Sequence, residues 1–145
     1  MNECAIKPRV RKMTIADLDE CFEKGVPRFQ KWFPHMDHKA MKEACAANID
    51  EMGVLLIRTN NAFGCATVDS TMQEPRLWVK EEWVFGPVWE ATSIFREMME
   101  WGKRIGAFRF SFGSVTEYDV KPIAKYLGEF SVIEAYTFNL EPNRP

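Results

Sequence analysis

The sequence predicts one α/β (α+β) domain built on a mixed sheet. Between Arg76 and Gly113 the apolar spacing changes from period two to helical period and back. A strand, a crossover helix and a second strand make a βαβ unit, whose strands run parallel with a right-handed connection. Upstream, two β-prone runs flank Asn60-Asn61, which reads as a hairpin. From end to end the elements order as β, α, α, β, β, β, α, β, α, β. That order gives a mixed sheet with a hairpin or meander in the middle and a parallel crossover after it.

In the central stretch, Arg76 to Phe85 is β-prone. Side chains alternate along a strand, so Leu77, Val79, Trp83 and Phe85 are expected on one face. Glu81 interrupts that face and Glu82 points the other way. Gly86-Pro87 breaks the strand. Ala91 to Ile105 carries Ala91, Phe95, Met98, Met99, Gly102 and Ile105 at helical spacing, flanked by Ile94 and Trp101. Gly106 suits the C′ position. Phe108 to Phe112 alternates again as a strand. The turn from Gly86 to Thr92 would bring backbone N–H groups to a helix start, where anions bind.

The 145 residues fit a single domain, 1–145, with room for a core. At 46% hydrophobic and 13% aromatic the chain is globular rather than disordered. A formal net charge of −2 gives no reason to expect nucleic acid or an acidic membrane as partner. No apolar run reaches the roughly 18 residues of a membrane helix, and the start lacks an apolar signal core. The expectation is a soluble, cytoplasmic protein. Cys4, Cys21, Cys45 and Cys65 form no C-x-x-C pair and read as reduced, half-buried thiols. His35 and His38 have helical metal-ligand spacing but no further ligand cluster, so no metal site is expected.

In chain order, Ala5 to Lys12 with Pro8 inside it reads as an edge strand. Thr14 and Asp17 stand in capping-box positions before the stripe Ile15, Leu18, Phe22. Gly25 is expected to end that helix, with Pro27 beyond it. Phe29, Trp32 and Phe33 then crowd a short segment, as satellite core or as the wall of a substrate cleft. Asp37 can cap a helix carrying Met41, Ala44, Cys45, Asn48, Ile49 and Met52, closed by Gly53. Val54 to Thr59 and Ala62 to Val68 are hairpin strands, with Asn60-Asn61 tolerating positive φ between them. Asp119 to Leu127 is a further helix, ended by Gly128, and Val132 to Leu140 a last strand.

With this order on the page, the chain resembles a GCN5-related N-acetyltransferase over nearly its whole length. The likeness rests on Arg11-Lys12-Met13-Thr14-Ile15-Ala16-Asp17-Leu18-Asp19, on the Ile57 to Val68 hairpin, on Glu100-Trp101-Gly102-Lys103-Arg104-Ile105-Gly106-Ala107, and on Pro122-Ile123-Ala124-Lys125-Tyr126-Leu127-Gly128. The resemblance implies a mostly antiparallel sheet with a parallel central pair and helices on both faces. It is also similar to short acetyltransferase-like chains that tailed bacteriophages encode.

What the resemblance implies chemically is transfer of an acetyl group from acetyl-CoA to an amine, on a small molecule, a peptide N-terminus or a lysine. The base would be Glu81 or Glu82, and the acid for the thiolate Tyr126 or Tyr118. Trp83, Val84, Phe85, Gly86, Val88, Trp89, Glu90, Ala91 and Thr92 would meet the cofactor. The turn departs from the family pattern, which carries two glycines and a basic or Gln residue. Here only Gly86 is glycine, Pro87 has no N–H, and Glu90 is expected to add like charge where phosphate would sit. Weak acetyl-CoA binding is the consequence expected. A non-catalytic protein using the fold to bind another protein stands as the alternative.

Overall fold

The computed structural model describes residues 8–70, 72–73, 75–113 and 119–128. The elements are β1 (Arg11–Lys12), α1 (Ile15–Trp32), α2 (His38–Ala47), β2 (Val54–Arg58), β3 (Phe63–Asp69), β4 (Trp78–Phe85), α3 (Val88–Arg104), β5 (Arg109–Ser111) and α4 (Val120–Leu127). The described strands form one sheet in the order β1-β2-β3-β4-β5. Neighbours are antiparallel except β4 and β5, which are parallel and joined over α3. The expected strand from Val132 to Leu140 lies outside the described residues.

Each face of the sheet carries its own core. On one face, α3 supplies Ala91, Ile94, Phe95 and Met98, which pack with α4's Ile123 onto Leu55, Ile57, Ala66, Val79 and Val84. On the other, α1 supplies Leu18, Cys21, Phe22 and Phe29 against Leu56, Phe63, Cys65 and Phe85. The α3 stripe matches its 3.6-residue spacing. Phe95 and Met98 are fully buried; Met99 lies at the edge of the stripe, half-buried.

Thr14 caps α1 as its sequence implies. Its hydroxyl accepts from the Asp17 N–H while the Asp17 carboxylate accepts from the Thr14 N–H. The helix does not end at Gly25, however, but runs through Pro27 to Trp32. The apolar stripe continues past the proline through Phe29, and its burial outweighs the backbone bond that Pro27 forgoes. Gly25 serves packing instead: a Cβ there would stand 2.9 Å from the Phe29 and Phe85 rings.

Other boundaries also shift. α3 begins at Val88, ahead of the first stripe residue, because Pro87 takes the N-cap position. α2 is capped by Asp37, which accepts from the Ala40 N–H at 2.9 Å, and stops at Ala47. There the Asn48 side chain donates to the Ala44 carbonyl, and Met52 is left 98% exposed. The hairpin tip uses no positive φ at either asparagine. Instead the Thr59 N–H donates to the Ala62 carbonyl, and the Thr59 hydroxyl accepts from the Ala62 N–H.

The expected common face of Leu77, Val79, Trp83 and Phe85 is split. Val79 packs with α3, whereas Phe85 and Trp83 pack with α1. A β-bulge causes this: Trp83 lies opposite Cys65 and Glu81 opposite Ala66, so Glu82 is an extra residue that shifts the alternation.

Removing the Phe95 ring should cost roughly 3–5 kcal/mol, as for other buried phenylalanines. Urea denaturation of Phe95→Ala should show the midpoint falling accordingly; an unmoved midpoint would contradict the α3 core.

Candidate active site

The site grows from unequal neighbours of β4. Strand β3 pairs with β4 from Trp78 to Phe85, but β5 pairs only with Trp78, Val79 and Lys80. Beyond Lys80 the parallel strands part and leave a fork open toward the start of α3.

Glu81 stands at the base of that fork. The Gly113 N–H, just past β5, donates to Glu81 Oε1 at 3.2 Å. Burial raises the Glu81 pKa to about 6; the Gly113 bond opposes that rise and neighbouring Glu82 adds to it. Oε2 has no hydrogen bond among the described residues. A carboxylate held through one oxygen, with the other open and its proton affinity raised, suits a general base.

Glu82 emerges on the opposite face, as alternation requires, and the bulge brings Trp83 onto that face with it. It is exposed, and its Oε2 accepts from the Thr67 hydroxyl at 2.9 Å. It lines a cleft of about 360 Å³ between α1, α2 and the sheet. Phe29 and Phe33, expected as satellite core or as the wall of a substrate cleft, line this cleft, and so does Trp83. Phe29 is also core, its ring centroid 5.5 Å from that of Trp83. Trp32 is not part of the cleft wall; it is exposed at the end of α1 with Lys31 Nζ over its ring.

The turn after β4 differs from expectation at Glu90. Its carboxylate is buried against the hairpin tip. Oε1 accepts from the Thr59 hydroxyl at 2.6 Å and the Asn61 N–H at 3.0 Å, and Oε2 from the Asn61 side chain at 3.2 Å. Burial pushes the Glu90 pKa up, and these hydrogen bonds more than offset it, leaving it below the usual value. Gly86 makes the approach possible. Its φ is +129°, and a Cβ there would stand 2.6 Å from Ala62 Cα and from the Asn61 carbonyl oxygen.

With Glu90 withdrawn, α3 starts with no side-chain cap. The Val88 and Trp89 side chains are exposed there. First-turn N–H groups of a helix have no intrahelical acceptor and carry partial positive charge. The residues present therefore fit a diphosphate through backbone donors rather than through a basic side chain. Of the other expected cofactor residues, Val84, Phe85 and Ala91 have buried side chains, and the Thr92 hydroxyl donates to the Val88 carbonyl. Their contact with a ligand would be through backbone. Trp83 belongs to the cleft on the other face.

Tyr126 is exposed on α4, with the Arg96 guanidinium 4.9 Å from its ring centroid. No hydrogen bond joins it to Glu81. Tyr118 lies outside the described residues. Gly113, Thr59, Asn61 and Thr67 were not singled out from sequence, because each acts through a partner distant in the chain.

No protein-family model matches the chain, and no curated protein sequence does. Solved structures do. A probable acetyltransferase matches with a TM-score of 0.73 at 9% identity, over 93% of this chain and 99% of that one. AAC(6')-Iy, in complex with the bisubstrate analogue CoA-S-monomethyl-acetylneamine, matches at 0.68 and 17% identity, over 92% and 97% of the two chains. An aminoglycoside acetyltransferase from an uncultured soil metagenomic sample, in complex with sisomicin, matches at 0.63 and 10% identity, over 96% and 100%. This chain has the GCN5-related N-acetyltransferase fold. Within this acetyltransferase fold, the fork at Glu81 and the uncapped α3 start lie at the two ends of the β4 segment that β5 leaves unpaired.

The Glu90 contacts make a prediction. A carboxylate with a lowered folded pKa adds stability above its ordinary pKa, near 4.5 here, and loses it as pH falls through the folded value. Glu90→Gln should cost roughly 1.5–3 kcal/mol at neutral pH, as for hydrogen bonds to a charged group. The difference from wild type should shrink as pH falls below 4.5. Thermal melts across pH 3–7 (a range of roughly four units around the carboxylate pKa) check this; equal melting at neutral pH would contradict it.

Proposed function

We propose that the protein is an N-acetyltransferase that moves an acetyl group from acetyl-CoA to an amine. The observation that carries this reading is the Glu81 carboxylate at the β4–β5 fork, half tethered by Gly113 and with its pKa raised to about 6. Acetyl-CoA would supply the acetyl group as a thioester. The unpaired edge of β4 offers backbone groups to an extended ligand, and the α3 start offers N–H groups to its diphosphate. Glu81 Oε2 would receive the proton that the amine nitrogen loses as it bonds to the acetyl carbon, while the thioester C–S bond breaks and coenzyme A leaves as thiolate, to be protonated to the thiol from solvent. Glu90 keeps its charge but turns it into the hairpin tip, where Thr59 and Asn61 donate to both carboxylate oxygens, and this local compensation favours the enzymatic reading over a non-catalytic scaffold. Pro87 still supplies no N–H.

Glu81→Gln tests the reading with two opposed readouts. Loss of a general base should slow acetyl transfer by about 10²–10⁴-fold, with acetyl-CoA affinity nearly unchanged. Wild-type kcat/KM should rise with pH through about 6. Stability should move the other way. A carboxyl whose folded pKa is raised binds its proton more tightly in the native state, so ionisation costs stability above about pH 6. Glu81→Gln should therefore raise stability by on the order of 1–2 kcal/mol at neutral pH. An unchanged rate would remove Glu81 from the mechanism.

A further inference from the structure

We propose that the cleft between α1, α2 and the sheet binds a small primary amine with one positive charge and an aryl or branched-alkyl arm. The proposal names the acceptor class, and so rests on the acetyltransferase reading. The first observation concerns α2. Its Met41, Ala44 and Cys45 recur at core-facing spacing, yet no residue of α2 is buried. Met41 and Cys45 pack partly against the core of Leu56 and Cys65, and an open space lined by Val54, Leu56, Cys65 and Trp83 of the sheet remains beside them. The space between them, about 360 Å³, falls within the range of small-molecule sites. Apolar walls held apart are satisfied by an apolar occupant.

The second observation is charge. Among the residues lining the cleft Glu82 is the only ionisable acid, and there is no Lys, Arg or His. The Cys45 and Cys65 thiols are held neutral, because burial raises both pKa values. Asn48 donates its amide N–H to the Ala44 carbonyl, and Thr67 donates to Glu82 Oε2. Among the described lining residues, Glu82 Oε1 is thus the charged acceptor for an ammonium group, with Asn48 Oδ1 a neutral one and Trp83 next to Glu82 in sequence on the same wall. A polycationic acceptor would bring further ammonium groups against Met, Phe and Leu with no counter-charge, which is costly. Glu82 follows Glu81 in sequence, and Glu81 lies on the α3 side of the same strand.

The bulge explains how one strand segment serves both ends of such a site. Glu81 stays in register with Val79 at the half-buried fork, and the extra residue brings Trp83 beside Glu82 in the cleft.

Calorimetry with phenethylamine, spermidine and neamine, each titrated without acetyl-CoA, tests the proposal. Phenethylamine should bind more tightly than the other two. Glu82→Gln should weaken it about tenfold, the loss of one charge-assisted contact. Ala44→Trp should abolish binding by filling the cleft; position 44 is exposed, so circular dichroism should show an intact fold. Tighter binding of spermidine or neamine, or an unmoved phenethylamine affinity in Ala44→Trp, would overturn the assignment. Acetyl-CoA titrated separately keeps the two readings apart. Acetyl-CoA binding with no heat from phenethylamine sinks the acceptor assignment alone. Phenethylamine binding with no heat from acetyl-CoA keeps the cleft and sinks the transferase.

Discussion

Strand β4 is shared between two neighbours of unequal length, and the site follows from that inequality. A strand inside a sheet presents N–H and C=O groups to both sides, and each needs a partner. β3 pairs with β4 throughout, while β5 pairs with it only as far as Lys80. Among the described residues, the second edge of β4 beyond Lys80 has no strand partner. Glu81 and Gly113 lie where that pairing ends, and the Gly113 N–H donates to the Glu81 carboxylate. Glu81 is half-buried there, and desolvation is what raises its proton affinity.

A polar relay fixes the other end of the fork. Arg58 of β2 is 6% exposed and donates to Asp17 and Glu20 of α1, and also to the Thr59 and Asn60 carbonyls. Arg11, with the Thr14 cap, holds the Asp17 carboxyl well below the usual range, and Arg58, with Lys24, lowers that of Glu20. Thr59 in turn donates its hydroxyl to Glu90 of α3. The chain of contacts passes round the hairpin tip and ties helices on opposite faces of the sheet. Truncating one member leaves buried partners unsatisfied, which makes such networks costly to interrupt. The position of the α3 start relative to β4 is therefore set by the hairpin, not by the helix alone.

Local signals were legible in the sequence wherever a residue acts on its own neighbours. Thr14 and Asp17 read as a capping box and form one; Gly106 reads as the residue after the α3 C-cap and takes a φ of +78°. The change of period between Arg76 and Gly113 gave the parallel β4–α3–β5 unit, with the bounds of α3 moved forward to Pro87. What was not legible depends on partners distant in sequence. The bulge is a mismatch between β3 and β4 and leaves no mark in either strand alone, so Val79 and Trp83 looked like one face. Glu90 looked like an obstacle because its partners, Thr59 and Asn61, are 31 and 29 residues away. Gly25 and Pro27 carry the composition of a helix end, and only the packing of Phe29 against Trp83 and Phe85 overrides it.

Two adjacent glutamates with unlike surroundings are useful to an acyl transfer that begins from an ammonium ion. The nitrogen must first be attracted as a cation and then lose a proton, and one carboxylate serves these needs poorly. A group that attracts cations well is exposed and ionised, whereas a good base near neutral pH has its proton affinity raised by burial. In a regular strand, residues 81 and 82 would differ in face but each would keep the alternation of its neighbours. Here the extra residue brings Trp83 onto the wall that carries Glu82, while Glu81 stays with Val79 on the α3 side. Alternation separates the two carboxylates across the sheet, and the bulge gives the exposed one an aromatic neighbour. The proposed division of labour needs no further element: Glu82 meets the amine in the cleft, and Glu81 waits at the fork through which the acetyl group would be presented.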